Sequence, residues 1–133
     1  MPAQAPTAPT AGQIRAQMEQ QLGTVPAAID KSLNADPTMI FEHVRAQQYA
    51  MPPEGRALDP QERTLVYLAV ALATSNHACT QAMVSKARVQ GIATPKLLEA
   101  FHIARFAQAT AVLGNAEPLF DLVNERNAGA DGR

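Results

Sequence analysis

Leu65-Val66-Tyr67-Leu68-Ala69-Val70-Ala71-Leu72-Ala73-Thr74-Ser75-Asn76-His77-Ala78-Cys79 is the stretch that decides the fold. From Leu65 to Ala73 the chain is apolar on nearly every side. A solvated surface helix cannot carry that pattern, whereas a helix at the centre of a bundle requires it. The run is too short to cross a bilayer. A polar break, Thr74-Ser75-Asn76-His77, follows, and the only cysteine, Cys79, falls in the first turn of the next helix. A helix start presents free backbone N–H groups and the positive end of the helix dipole, which favours a thiolate and makes Cys79 a candidate for thiol chemistry.

Working outward, Asp59-Pro60-Gln61-Glu62 has the form of a helix start. Asp59 can accept from the exposed N–H groups, Pro60 lacks a donor where none is needed, and Glu62 can reach back to complete a capping box. The helix carrying Cys79 is expected to stop at Gly91, a left-handed terminator. Thr94-Pro95 is expected to cap a further helix, ending at Gly114-Asn115. Val25-Pro26 and Asp36-Pro37 repeat the start signal upstream. Helices are therefore expected over about 13–22, 26–33, 37–51, 60–73, 77–90, 94–113 and 118–127, with 51–57 as the one substantial loop. No segment alternates β-branched residues as a strand would, so the fold class is all-α, a compact multi-helix bundle.

The 133 residues, 47% hydrophobic, suffice for one core. The Pro/Ala/Thr tract 1–12 and the Gly/Ala/Asp-rich 127–133 read as flexible tails around a single domain, 13–126. A net charge of −1 provides no cationic surface for nucleic acid or an anionic membrane, and neither is an expected partner. One cysteine cannot form an internal disulfide, and no basic segment leading into an apolar one marks a secretory signal. A cytoplasmic protein is the expectation.

His77, beside the break, and His102 join Cys79 as candidate catalytic groups, while Asn76 and Arg105 are candidates for holding a substrate. Each has a structural reading as well: a helix-start cysteine can be a small buried side chain, and an exposed arginine can pair with a glutamate. No metal or other cofactor is expected. The alternative would be a zinc or iron site from His43, His77 and His102, with Glu99 one turn before His102. Alanines along the helices, together with Phe101, Phe106 and Leu113, offer more apolar surface than one small bundle can cover, so a homo-oligomer is expected.

The order of signals from Leu22-Gly23-Thr24-Val25-Pro26 through Asp59-Pro60-Gln61-Glu62-Arg63, the Cys79 break, Gly91 and Leu97-Leu98-Glu99-Ala100 resembles the carboxymuconolactone decarboxylase and alkyl hydroperoxidase D superfamily. The resemblance spans roughly Leu22 to Phe120. It implies an all-α bundle, assembly as dimers, trimers or hexamers, and a small organic acid, lactone or peroxide as substrate. The peroxidase members carry a glutamate, a Cys-x-x-Cys pair and a histidine. At the matching positions this chain has Thr64, Asn76, Cys79 and Met83, so the dithiol motif is degraded and dithiol peroxidase activity is not expected. The decarboxylase members keep the histidine where Met83 stands. Three readings remain: a decarboxylase-like enzyme, a non-catalytic oligomeric ligand-binding or scaffold protein, and a single-cysteine peroxidase or redox protein using Cys79.

Overall fold

A computed structural model describes residues 8–52 and 54–131. Seven helices are present among them: α1 (Ala11–Leu22), α2 (Ala27–Ala35), α3 (Pro37–Ala50), α4 (Pro60–Ala73), α5 (His77–Gln90), α6 (Thr94–Asn115) and α7 (Glu117–Asp131). The all-α expectation holds. The start of the Pro/Ala/Thr tract, Pro53 of the loop and the last two residues lie outside the described residues.

Local chemistry explains where most of these helices begin. Asp59 accepts from the Glu62 N–H at 2.8 Å, and the Glu62 carboxylate accepts from the Asp59 N–H at 2.9 Å, closing the capping box expected from sequence. Such a cap is worth about 1 kcal/mol. Thr10 and Gln13 form a second box, so α1 begins at Ala11, two residues before the expected start. Gly91 ends α5 at φ 63°, the left-handed conformation anticipated for it. Further boundaries differ from those expected. The residue capping α6 is Ala93, with no side-chain bond, and Thr94 is already helical. Gly114 lies inside α6, which turns into α7 at Ala116, and α7 continues past Asn127 to Asp131.

Helix α4 is the hub: α5 and α6 both pack against it, while α1 packs on α5 and α2 on α3. Ile14, Met18, Leu33, Ile40 and Val44 form a buried cluster where α1, α2 and α3 meet. Arg15 ties α1 to α2, its Nε donating to the Asp30 carboxylate at 2.7 Å. Leu68 and Ala71 are the buried apolar side of α4, facing its neighbours, whereas Val66 and Val70 on the same helix are more than half exposed. A central helix with an open apolar side is incompletely covered by its own chain.

Candidate functional site

The break between α4 and α5 is a tight three-residue reversal in which Ser75 takes φ 56°, a left-handed value uncommon for a residue with a Cβ. It delivers Asn76 to the cap of α5, where the Asn76 side chain accepts the Cys79 N–H at 3.1 Å. That bond fixes the first turn of α5 and with it the direction of the Cys79 side chain. The Cys79 Sγ then lies 3.0 Å from the Tyr67 Oη, contributed by α4. Tyr67 is pushed up to about 12, foremost by this hydrogen bond, then by burial and by the charge on Cys79. Either the phenol or the thiol can be the donor in this contact.

Beneath this pair opens a pocket of about 420 Å³, walled mainly by apolar side chains of α1, α2, α3 and α5, among them Met18, Ile29, Ala82 and Met83. His43 of α3 also lines it. A partly exposed thiol, a protonated phenol and an imidazole therefore border one apolar space of the size that admits a small organic molecule. The arrangement suits a neutral, hydrophobic reactant whose single reactive polar group meets the sulfur.

Of the residues singled out by sequence, Cys79 lines the pocket, and Asn76 positions it through the backbone. His77, the first residue of α5, is exposed and is not among the pocket's lining residues. His102 is exposed on α6 with its ring beside Phe101, the centroids 5.4 Å apart, and Arg105 is exposed on the same helix. The geometry gathers Cys79 with His43, not with His77 and His102. Among the described residues no three His, Cys, Asp or Glu side chains are grouped so as to hold a metal ion, so His43, His77, His102 and Glu99 are not gathered into the alternative metal set.

Thr64 and Met83 have other roles. Thr64 is fully buried, its hydroxyl 2.7 Å from the Gln90 side-chain oxygen and 3.0 Å from the Pro60 carbonyl, locking the start of α4 to the end of α5. Met83 is a buried pocket wall. Tyr67 was the residue that sequence reasoning passed over. The available signal was a polar-tipped side chain inside an otherwise apolar helix, since a tyrosine hydroxyl in such a setting needs a partner.

The family model described as the carboxymuconolactone decarboxylase family matches residues 41–121, more than half of the chain, and the chain belongs to that family. No curated protein matches it. The matched stretch contains His43, Tyr67, Cys79 and Met83, while the walls supplied by Met18 and Ile29 lie before it.

Proposed function

We propose that this protein is a carboxymuconolactone decarboxylase-like enzyme whose pocket takes a small, uncharged organic electrophile, an alkyl hydroperoxide foremost, with Cys79 as the reacting group. The contact that carries the reading is the 3.0 Å approach of the Tyr67 hydroxyl to the Cys79 sulfur at the edge of an apolar pocket. The Cys79 sulfur attacks the terminal oxygen of the hydroperoxide, and the O–O bond breaks. The alcohol departs with a proton, and Cys79 becomes a sulfenic acid. Two molecules of a low-molecular-weight thiol complete the cycle: one forms a mixed disulfide and releases water, and the second frees Cys79 as the reductant leaves as its own disulfide. With one cysteine in the chain, the resolving thiol has to come from outside. A reducing cytoplasmic setting, proposed from that lone cysteine, would supply it. An uncharged lactone suits the same pocket, whereas an organic acid finds no lysine or arginine among the described lining residues.

Treating the protein with cumene hydroperoxide and reading its intact mass tests the proposal. The expected result is one added oxygen at Cys79, none in Cys79→Ala, and a rate about tenfold lower in Tyr67→Phe, the scale of one lost hydrogen bond to a charged group. A thiol that reacts with iodoacetamide but takes no oxygen from the hydroperoxide would leave the non-catalytic ligand-binding reading in its place. That reading draws on the low polarity of the pocket walls.

A homo-oligomer is part of the same proposal. Phe101, Ile103, Phe106, Val112 and Leu113 of α6 and Leu119 and Phe120 of α7 are all exposed. The charges interspersed among them, Lys96, Glu99, Arg105, Glu117 and Asp121, are of both signs, which suits a second copy better than a strongly charged partner.

A further inference from the structure

Between α4 and α6 runs an open groove of about 370 Å³, walled by Leu65, Val66, Ala69 and Val70 of α4 and by Ala100 and Ile103 of α6. Its walls are almost wholly apolar, and Lys96 and Glu99 of α6 are the only charged lining residues among those described. Val66, Val70 and Ile103 are each more than half exposed. Ala69 and Ala100 add little bulk, which leaves room for a further helix at the usual spacing of about 8–10 Å.

Helix α7 presents the converse problem. None of its 15 residues is buried, and Asn124, Asn127 and Gly129 within it are weak helix formers. A helix of that length is marginal in water unless one face is packed. Such a face exists: Leu119, Leu122 and Val123 recur with i, i+3 and i+4 spacing, Phe120 borders them, and all four are exposed. Glu117 and Asp121 lie on the opposite side of the helix, which suits water.

Helix and groove belong to one chain, yet the chain cannot bring this stripe to its own groove. Helix α7 leaves α6 at Ala116. A hairpin folded there sets Leu119 level with Leu113 and Val123 level with Ala109, about 9 Å along the axis short of Ile103. We infer that α7 is an exchanged arm, its Leu119, Leu122 and Val123 stripe lying in the α4–α6 groove of a second copy whose own α7 fills the groove in return. Two copies that trade the same helix cover both surfaces through one repeated, self-complementary contact. The edge charges fit that occupant, since Glu125 and Arg126 at the end of the stripe match Lys96 and Glu99 of the groove in sign. The inference rests on the proposed homo-oligomer and adds which surfaces meet.

The test uses the full chain carrying Cys79→Ala together with Val70→Cys and Leu122→Cys, both at exposed positions. A short bis-maleimide, whose reach tolerates a small shift in register, links the two thiols, and denaturing gels with peptide mapping read the product. The expected product is two chains joined between positions 70 and 122, with Val70→Cys or Leu122→Cys alone linking chains about tenfold less. Leu119→Glu combined with Val123→Glu should bring the light-scattering mass down to that of one chain. Light scattering on the parent separates the possible failures. An oligomeric parent without the 70–122 link overturns the exchanged arm and leaves the oligomer standing, whereas a parent of single-chain mass overturns both. A 70–122 link within one chain overturns the inference by placing α7 on its own groove. Equally efficient linking of Val70→Cys to itself overturns it too, because the α4 faces would then meet directly.

Discussion

Helices α1–α3 and helices α6–α7 both carry large apolar side chains, and they dispose of them in opposite ways. At the junction of α1, α2 and α3, Ile14 is 1% exposed and Ile40 2% exposed. On α6, Phe106 is 73% exposed and Val112 69%, and α7 has no buried residue among those described. The difference follows from how the apolar positions are arranged. In α1 and α3 they recur on one side, which a neighbouring helix of the same chain can cover. In α6 they surround the helix: Ala100 and Ala104 pack towards α4, and Phe101, Ile103 and Phe106 are left pointing elsewhere. The first region is completed by folding of one chain, and the second is proposed to be completed by association.

The largest expected effect concerns that association. Light scattering coupled to size exclusion should give a mass at least twice 14.2 kDa, little altered by salt because screening barely affects apolar burial. Phe106→Glu combined with Leu113→Glu should return it to the single-chain mass. A parent protein that is monomeric at micromolar concentration would erase the contrast between the two regions.

Truncation at each region sharpens the contrast further. Ile14→Ala should cost about 3 kcal/mol in urea unfolding, the usual consequence of a cavity in a packed core. Val112→Ala should instead produce a loss that grows as the protein is diluted, because its partner is another chain. Equal, concentration-independent losses would mean that both regions are completed within one chain. Asp59→Ala, at the cap of the helix that joins the two regions, should cost about 1 kcal/mol. A change well below that would show that tertiary packing alone holds the start of α4.

The smallest effect is in alkaline titration. Because the folded-state pKa of Tyr67 is raised from 10.0 to about 12, its contribution to stability is fully present below 10.0 and is lost as the pH rises through about 12. In that window the folded phenol keeps a proton that the unfolded one releases. Ultraviolet difference titration should show Tyr67 ionising late, and Cys79→Ala should bring it back towards 10.0, since the Cys79 hydrogen bond is the leading cause. An unchanged titration in Cys79→Ala would break the assignment of that bond.

Much of this protein could be read along the chain because the governing interactions are local. Asp59 with Glu62, the left-handed Gly91 and the helix start around Cys79 each act within about one turn, so residue type and spacing are sufficient evidence for them. The readings that changed show the limit of that evidence. A stop is expected at Gly114, yet glycine is only permissive of a left-handed turn, and α6 continues through it. A cap is expected at Thr94, but the helix begins one residue earlier and leaves Ala93 in that place.

Sequence alone determined the all-α class, the order of the helices, the break before α5 and the position of Cys79 in its first turn. Tertiary structure alone decided which side chains meet. Each residue along a helix turns the side-chain direction by about 100°, so partners across helices depend on how each helix is rotated and inclined against its neighbour. That rotation brings Tyr67 to Cys79, sets His43 rather than His77 or His102 beside their pocket, and places Arg63 and Lys86 at one cavity. No spacing within a single helix encodes such pairings, because they are properties of the packed bundle.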